Sequence, residues 1–99
     1  MGKSRHTYRE LVEAADRRHR DRIVEALAAL VDAQWAAAAA YNIAGLTRSA
    51  SSALNAAMEA ADAKYAAAVA ESLWIRKRDL EDAWNKHALS ATAGLRDDG

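Results

Sequence analysis

The stretch QWAAAAAYNIAGLTRS, residues 34–49, decides the fold because it holds the chain's one central glycine. The chain has no proline, and its other glycines lie at positions 2, 94 and 99, so long helices are expected on both sides of Gly45. Gly45 suits the left-handed position after a helix, and Leu46 could then fold back on Tyr41 as in a Schellman motif. The stretch therefore predicts a turn at 45–47; one unbroken helix is the alternative.

Capping signals define the helix ends. Thr7 and Glu10 have the spacing of a capping box, which predicts that the first helix begins there. Thr47, or one of the serines at 49, 51 and 52, can cap the second helix, and Gly94 repeats the stop signal. We therefore predict an all-α, antiparallel helical hairpin as a single domain over 7–93, with helices at about 7–44 and 48–93 and tails at 1–6 and 94–99.

Each predicted helix carries an apolar stripe that recurs every three or four residues, as expected for a helix that packs along one side. In the first helix the stripe is Tyr8, Val12, Ala15, His19, Ile23, Ala26, Leu30, Ala33, Ala37, Tyr41 and Ala44. In the second it is Leu54, Met58, Ala61, Tyr65, Val69, Leu73, Arg76, Leu80, Trp84 and His87.

The charges support this antiparallel pairing. A turn near Gly45 places residues level when their numbers add to about 91. Residues of opposite charge then lie level across the hairpin: Glu10 and Glu13 with Arg76–Arg78, Arg9 with Glu81 and Asp82, and the Arg17–Arg20 region with Glu71. Each exposed pair contributes about 0–1 kcal/mol, so these charges favour the register more than they add stability.

Composition favours ordered helix. The chain has 27 alanines and only 16 Leu, Ile and Val residues, and its 14 basic and 14 acidic side chains cancel. Alanine is the strongest helix former, whereas disorder is typical of chains with a high net charge. Cysteine is absent, which excludes disulfides and thiolate metal sites. The N-terminus lacks the apolar segment of a signal peptide, so we expect a cytoplasmic or virion-associated protein.

A second apolar face on the first helix predicts self-association, because each helix of an isolated hairpin has only one neighbour. The predicted interface residues are Val24, Leu27, Val31, Trp35, Ala38 and Tyr41, with Trp74 from the second helix. Between Ala26 and Met58 the only charged residues are Asp32 and Arg48. We therefore predict a homo-oligomeric, coiled-coil-like assembly such as a four-helix bundle, or a place in a larger protein assembly.

Insertion into a membrane competes with self-association, since residues 23–46 are long enough to span a bilayer. Glu25, Asp32, Gln34 and Asn42 interrupt that segment. An aspartate at mid-membrane costs about 2.5–3.5 kcal/mol on insertion scales, which alanines do little to offset. A membrane partner is therefore the weaker expectation.

The sequence contains few residues arranged for chemistry. A basic run supplies candidate phosphate-binding residues, which makes nucleic acid the alternative partner: Arg17, Arg18, Arg20 and Arg22. The register brings Asp32 level with Glu59 and Asp62, a candidate carboxylate metal set that lacks the histidines usual in helical bundles. His19 lies level with Ser72 and is interpreted as a packed, hydrogen-bonded residue. No catalytic or cofactor motif is present, so a non-enzymatic protein without cofactors is expected.

The segment ALNAAMEAADAKYAAAVAES, residues 53–72, resembles the Ala-rich helices, spaced by Glu and Lys, of small structural and accessory proteins of tailed phages. The resemblance is compositional, carries over no functional residue, and implies a role in a virion or in assembly. The chain also resembles the Trp-x-Gly helical hairpins of type VII secretion in length, central turn and lack of cysteine. Its turn reads Asn42-Ile43-Ala44-Gly45 without a Trp, and no Tyr-based export signal follows the second helix.

Overall fold

Two long helices packed as a hairpin form the protein. The computed structural model describes residues 7–45 and 47–98, with side chains up to Leu89. Helix α1 is Tyr8–Ile43 and helix α2 is Arg48–Asp98, and that part of the chain contains no strand. The predicted all-α helical hairpin is confirmed, while the predicted N-terminal tail, residues 1–6, lies outside the described residues.

The contacts divide the chain into two compact units. We call them the terminal unit, which combines the residues up to Arg20 with those from Ser72 onwards, and the turn unit, Asp21–Glu71. Both helices contribute to each unit.

The start of α1 is fixed by the predicted capping box. The Glu10 backbone N–H donates to the Thr7 hydroxyl at 3.1 Å, and the Thr7 backbone N–H donates to the Glu10 carboxylate at 2.8 Å. These two bonds satisfy backbone donors that have no carbonyl partner in the first turn. Sequence and structure therefore agree on where α1 begins.

Gly45 ends α1 in the left-handed conformation, with φ of 81°. Its N–H donates to the Asn42 carbonyl at 3.3 Å, which is one of the two hydrogen bonds of a Schellman motif. The other bond would involve Leu46, which lies outside the described residues. Of the four candidate caps for α2, Thr47 is the N-cap: its hydroxyl accepts a hydrogen bond from the Ala50 backbone N–H at 3.1 Å.

The predicted end of the second helix at residue 93 was wrong. Helix α2 continues through Gly94 to Asp98, so residues 94–98 are not an irregular tail. A glycine inside a helix costs only about 1 kcal/mol relative to alanine, and it ends a helix only where the chain turns away. The same residue type thus ends α1 at position 45 but not α2 at position 94.

Small side chains occupy the buried positions between the helices. Ala15, Ser72 and Ala83 are buried in the terminal unit, and Ala61 is buried in the turn unit. The larger residues of the α1 stripe, including Ile23, Leu30 and Tyr41, are half-buried. The stripe alanines at 33 and 44 are exposed. Alanine and serine at the centre let the two backbones approach closely, and the larger side chains remain partly in contact with water.

The α2 stripe needs a correction in the terminal unit. Ser72 and Ala83 are buried, whereas the predicted stripe residues Leu73, Trp84 and His87 are exposed. A neighbouring residue points about 100° further around a helix, so burying the small residue turns the larger one that follows it toward the edge. The prediction favoured large apolar residues for the core, but close approach of the helices favoured the small ones.

Replacing Gly45 by Ala tests the turn. An added Cβ would meet nothing within 4 Å, so any loss of stability comes from the backbone and not from a clash. We expect Gly45→Ala to lower the free energy of unfolding by about 1–2 kcal/mol, because L-residues with a side chain disfavour this conformation. Gly45→Asn, which tolerates it better, is the control, and urea unfolding followed by circular dichroism is the measurement. Equal stability of all three proteins would contradict this account.

Replacing Ala15 by Leu tests the small-residue core. Ala15 has no exposed surface, so a larger side chain must push the helices apart, and overpacking of this kind costs about 1–3 kcal/mol. Ala66→Leu, at an exposed position of α2, is the matched control and should change little. Thermal unfolding of the two variants checks the difference; a stable Ala15→Leu protein would show that the helices are not held close at this point.

Candidate functional site

The surface that stands out in the turn unit is a row of large apolar side chains on α1, which we call the apolar row: Val24, Leu27, Val31 and Trp35. All four are exposed, with Trp35 at 74% and Val24 at 65%. Monomeric soluble proteins rarely leave contiguous large apolar side chains in water unless the surface has a binding role. The row is therefore the candidate interaction surface of this unit.

The other predicted interface residues differ in exposure. Ala38 and Tyr41 are half-buried in the hairpin, so only part of each side chain is available to a partner. Trp74, in the terminal unit, is 59% exposed, and the Arg78 guanidinium lies 5.0 Å from the centre of its ring. This cation–π contact covers one face of the indole and leaves the rest of the ring accessible.

A second surface, with apolar and charged residues side by side, lies on α2 in the terminal unit, where the sequence analysis predicted core residues. An open groove of about 680 Å³, which we call the terminal groove, is lined there by eight residues: Leu73, Arg76, Lys77, Leu80, Glu81, Asp82, Trp84 and Asn85. Leu73 is 50% exposed and Trp84 is 55% exposed. The sequence signal for this surface is a spacing of four, three and four residues, which places four of its members along one side of a helix: Leu73, Lys77, Leu80 and Trp84.

One side of the terminal groove is held by a cluster of three rings. Tyr8 at the start of α1 meets Trp84 edge-on at 5.7 Å between ring centres, and His87 lies 5.2 Å from Tyr8 and 5.6 Å from Trp84. Edge-to-face contacts of this kind are favourable beyond the area they bury. The cluster fixes the indole of Trp84 although more than half of that residue is exposed.

Polar contacts set the register of the terminal unit. His19 Nδ1 and Ser72 Oγ share a hydrogen bond of 2.8 Å, which confirms the prediction that His19 is packed level with Ser72. The Arg76 Nε–H donates to Asp16 at 2.7 Å, and the Arg18 guanidinium donates to Asp79 at 3.2 Å. These pairs join charges across the hairpin as expected, but the partners differ from those predicted: Glu13 instead contacts Arg9 in its own helix, at 3.6 Å.

The four candidate phosphate-binding arginines do not form one free cluster. Arg18 is engaged with Asp79, and Arg22 is half-buried with an interaction of its own. Arg17 and Arg20 are exposed. Ion pairing within the hairpin thus occupies part of the charge that the sequence offered to a phosphate group.

The candidate metal residues are not brought together either. The described part of the chain contains no group of three or more His, Cys, Asp or Glu side chains that could hold a metal ion. Asp32, Glu59 and Asp62 are each exposed, so they point away from the contact between the helices. Level register alone does not gather carboxylates, because the side chains must also face one another.

Helix α1 is long and apolar enough to cross a membrane, and no residue of its most apolar window is buried in the protein. The helix meets this criterion by length and composition only. Asp32 and Gln34 lie in the same part of the helix, and an aspartate is costly to place in a bilayer.

Comparison of the chain with protein-family models, with curated proteins and with solved structures gives no match.

Replacing Ser72 by Ala tests the polar contact that fixes the register. The change removes the hydroxyl beside His19 Nδ1 and leaves a half-buried polar atom without that partner, so we expect a loss of about 1–2 kcal/mol in the free energy of unfolding. Ser52→Ala, at an exposed position of the same helix, is the control. Unchanged urea unfolding of Ser72→Ala would mean that the hydrogen bond contributes nothing to the hairpin.

Proposed function

We propose that this protein is a non-enzymatic, self-associating helical hairpin that serves as a structural or interaction component of a larger assembly, of the kind found in phages and bacteria. The exposed apolar row on α1 carries the proposal. Its four large side chains lie along about three turns of one helix, whereas the buried positions among the described residues hold only alanine and serine. A second helical surface would remove them from water.

The charge distribution supports a protein partner. Asp32 is the one charged residue between Ala26 and Tyr41, so the row can be covered with little cost for desolvating ions. Aromatic and aliphatic side chains with few charges are typical of the centre of an interface, and tryptophan is enriched among residues that dominate binding energy. Trp35 combines these properties and is the most exposed member of the row.

A membrane is the second candidate partner, supported by the length and hydropathy of α1. The turn unit argues against it, because α2 there places Glu59, Asp62 and Lys64 on exposed positions of the same hairpin. Inserting this unit would carry those charges into the bilayer at a cost of about 2.5–3.5 kcal/mol for an Asp or a Lys at the centre. The observations therefore favour a protein partner.

Replacing Trp35 by Glu tests the proposal. We expect the wild-type chain to form oligomers at micromolar concentration and Trp35→Glu to weaken the association about tenfold or more, because it puts a charge where an apolar anchor was. Ala36→Glu adds the same charge at an exposed neighbouring position outside the row and should assemble like the wild type. Sedimentation equilibrium and light scattering give the masses.

A folded wild-type monomer throughout the micromolar range would overturn the proposal. Flotation of the same three proteins with lipid vesicles separates the two partners: if the wild type were monomeric and floated with vesicles, and Trp35→Glu did not float, the row would be a membrane surface.

A further inference from the structure

We propose that the terminal groove pairs with the same groove of a second copy, with the two α2 helices antiparallel about a two-fold axis. This inference rests on the proposed self-association and adds to it a contact in the terminal unit, separate from the apolar row of the turn unit. It is supported by the direction in which the groove faces, by the order of its charges and by the sizes of its apolar side chains.

The groove lies on a different side of α2 from the contact with α1. Four residues of α2 form its inner side, by a polar contact with α1 or by burial: Ser72, Arg76, Asp79 and Ala83. Each is followed directly by a residue of the groove, in the order Leu73, Lys77, Leu80 and Trp84. Successive residues point about 100° apart around a helix, so a second copy can pack along the groove without displacing α1.

The charges of the groove are ordered along α2. Its two cations, Arg76 and Lys77, precede its two carboxylates, Glu81 and Asp82, so the groove has no net charge. A reversed copy presents carboxylates where the first copy presents cations. The order of charge therefore makes the groove complementary to itself in the antiparallel orientation and in that orientation only.

One register brings the free charges together. If residues of the two copies are level when their numbers add to 157, Lys77 lies within about 1.5 Å, along the axis, of Glu81 in the second copy, and the two-fold axis repeats this pair. Arg76 already bonds Asp16, whereas no ion pair within the described part of the chain engages Lys77 or Glu81. These two side chains are thus available for a contact between copies.

The apolar side chains fit the same register. Leu73 then lies opposite Trp84 of the second copy, and Leu80 lies against the aliphatic part of Lys77. Leu73 and Trp84 are 50% and 55% exposed, so both have surface to bury. Parallel pairing would instead set Trp84 against Trp84 and Lys77 beside Lys77. Large side chains opposite smaller ones pack more closely, so side-chain size and charge favour the same orientation.

The test isolates the groove from the apolar row by starting from Trp35→Glu, a change outside the terminal unit that is expected to weaken the contact of the row. At micromolar concentration and low ionic strength we expect this protein to have the mass of two chains. Adding Lys77→Glu or Glu81→Lys should weaken the pair about tenfold, because each change replaces two attractions across the axis by two repulsions. Sedimentation equilibrium measures the masses.

Mixing the two charge variants then tests the contact between copies directly. One chain has two carboxylates at positions 77 and 81 and the other has two ammonium groups, so a mixed pair joins opposite charges at both contacts. We expect the mixture to pair at least as tightly as the Trp35→Glu protein. Like charges four residues apart also weaken the helix that carries them, but that effect acts within one chain and mixing cannot relieve it.

Lys86→Glu, in the same Trp35→Glu protein, is the matched control. It makes the same charge change at an exposed position of α2 outside the groove, and it also places a carboxylate four residues from another, at Asp82. This variant should pair as the Trp35→Glu protein does. Circular dichroism of every variant shows whether the hairpin is folded.

The outcomes separate the two proposals. If the wild type is oligomeric and Trp35→Glu is monomeric, the inference is wrong and the proposed function stands. The inference is also wrong if either charge variant pairs as tightly as the Trp35→Glu protein, or if the mixture pairs no better than its components. A wild-type chain that is monomeric throughout the micromolar range would instead refute the proposed self-association on which the inference rests.

Discussion

Close packing of two helices through small side chains is the constraint on which the rest of the structure depends. Ala15, Ala61, Ser72 and Ala83 are the buried residues among the described side chains, and each leaves room for the opposite backbone to come near. Such a contact buries little apolar area for each residue, and a chain of this length has little area to spare. Capping, cross-helix hydrogen bonds and the left-handed glycine at the turn therefore matter more here than in a domain with a large core.

The same constraint determines what remains on the surface. Where a small residue takes the buried position, the bulky residue beside it on the helix turns toward water, as Leu73 does beside Ser72 and Trp84 beside Ala83. On α1, Trp35 and Val24 lie on the second apolar face, which no described part of α2 covers, so they are exposed as well. A hairpin with so narrow a contact has apolar surface left over, and we regard that surplus as the functional part of the molecule.

The polar residues act mainly within the hairpin. Asp16 accepts a hydrogen bond from Arg76, and Asp79 accepts one from Arg18. Ser72 shares a hydrogen bond with the imidazole of His19. The pair with Asp79 engages Arg18 of the basic run, and the two ion pairs set the register more than they add stability, since exposed ion pairs contribute about 0–1 kcal/mol each. The exposed apolar side chains of the described residues take no part in these polar contacts.

The sequence by itself determined the two helices, the turn at Gly45, the cap at Thr7 and the level pairing of His19 with Ser72, and it narrowed the cap of α2 to four residues, but it ended α2 too early. Each follows from local rules: glycine in the left-handed region, hydroxyl groups at helix starts and a fixed rise per residue. Only the tertiary structure decided which face of α2 is buried, because periodicity does not say whether a small or a large residue of neighbouring positions lies at the contact. It also decided which ion pairs form and left Asp32, Glu59 and Asp62 apart, since the direction of a side chain depends on how the helices are rotated about their own axes.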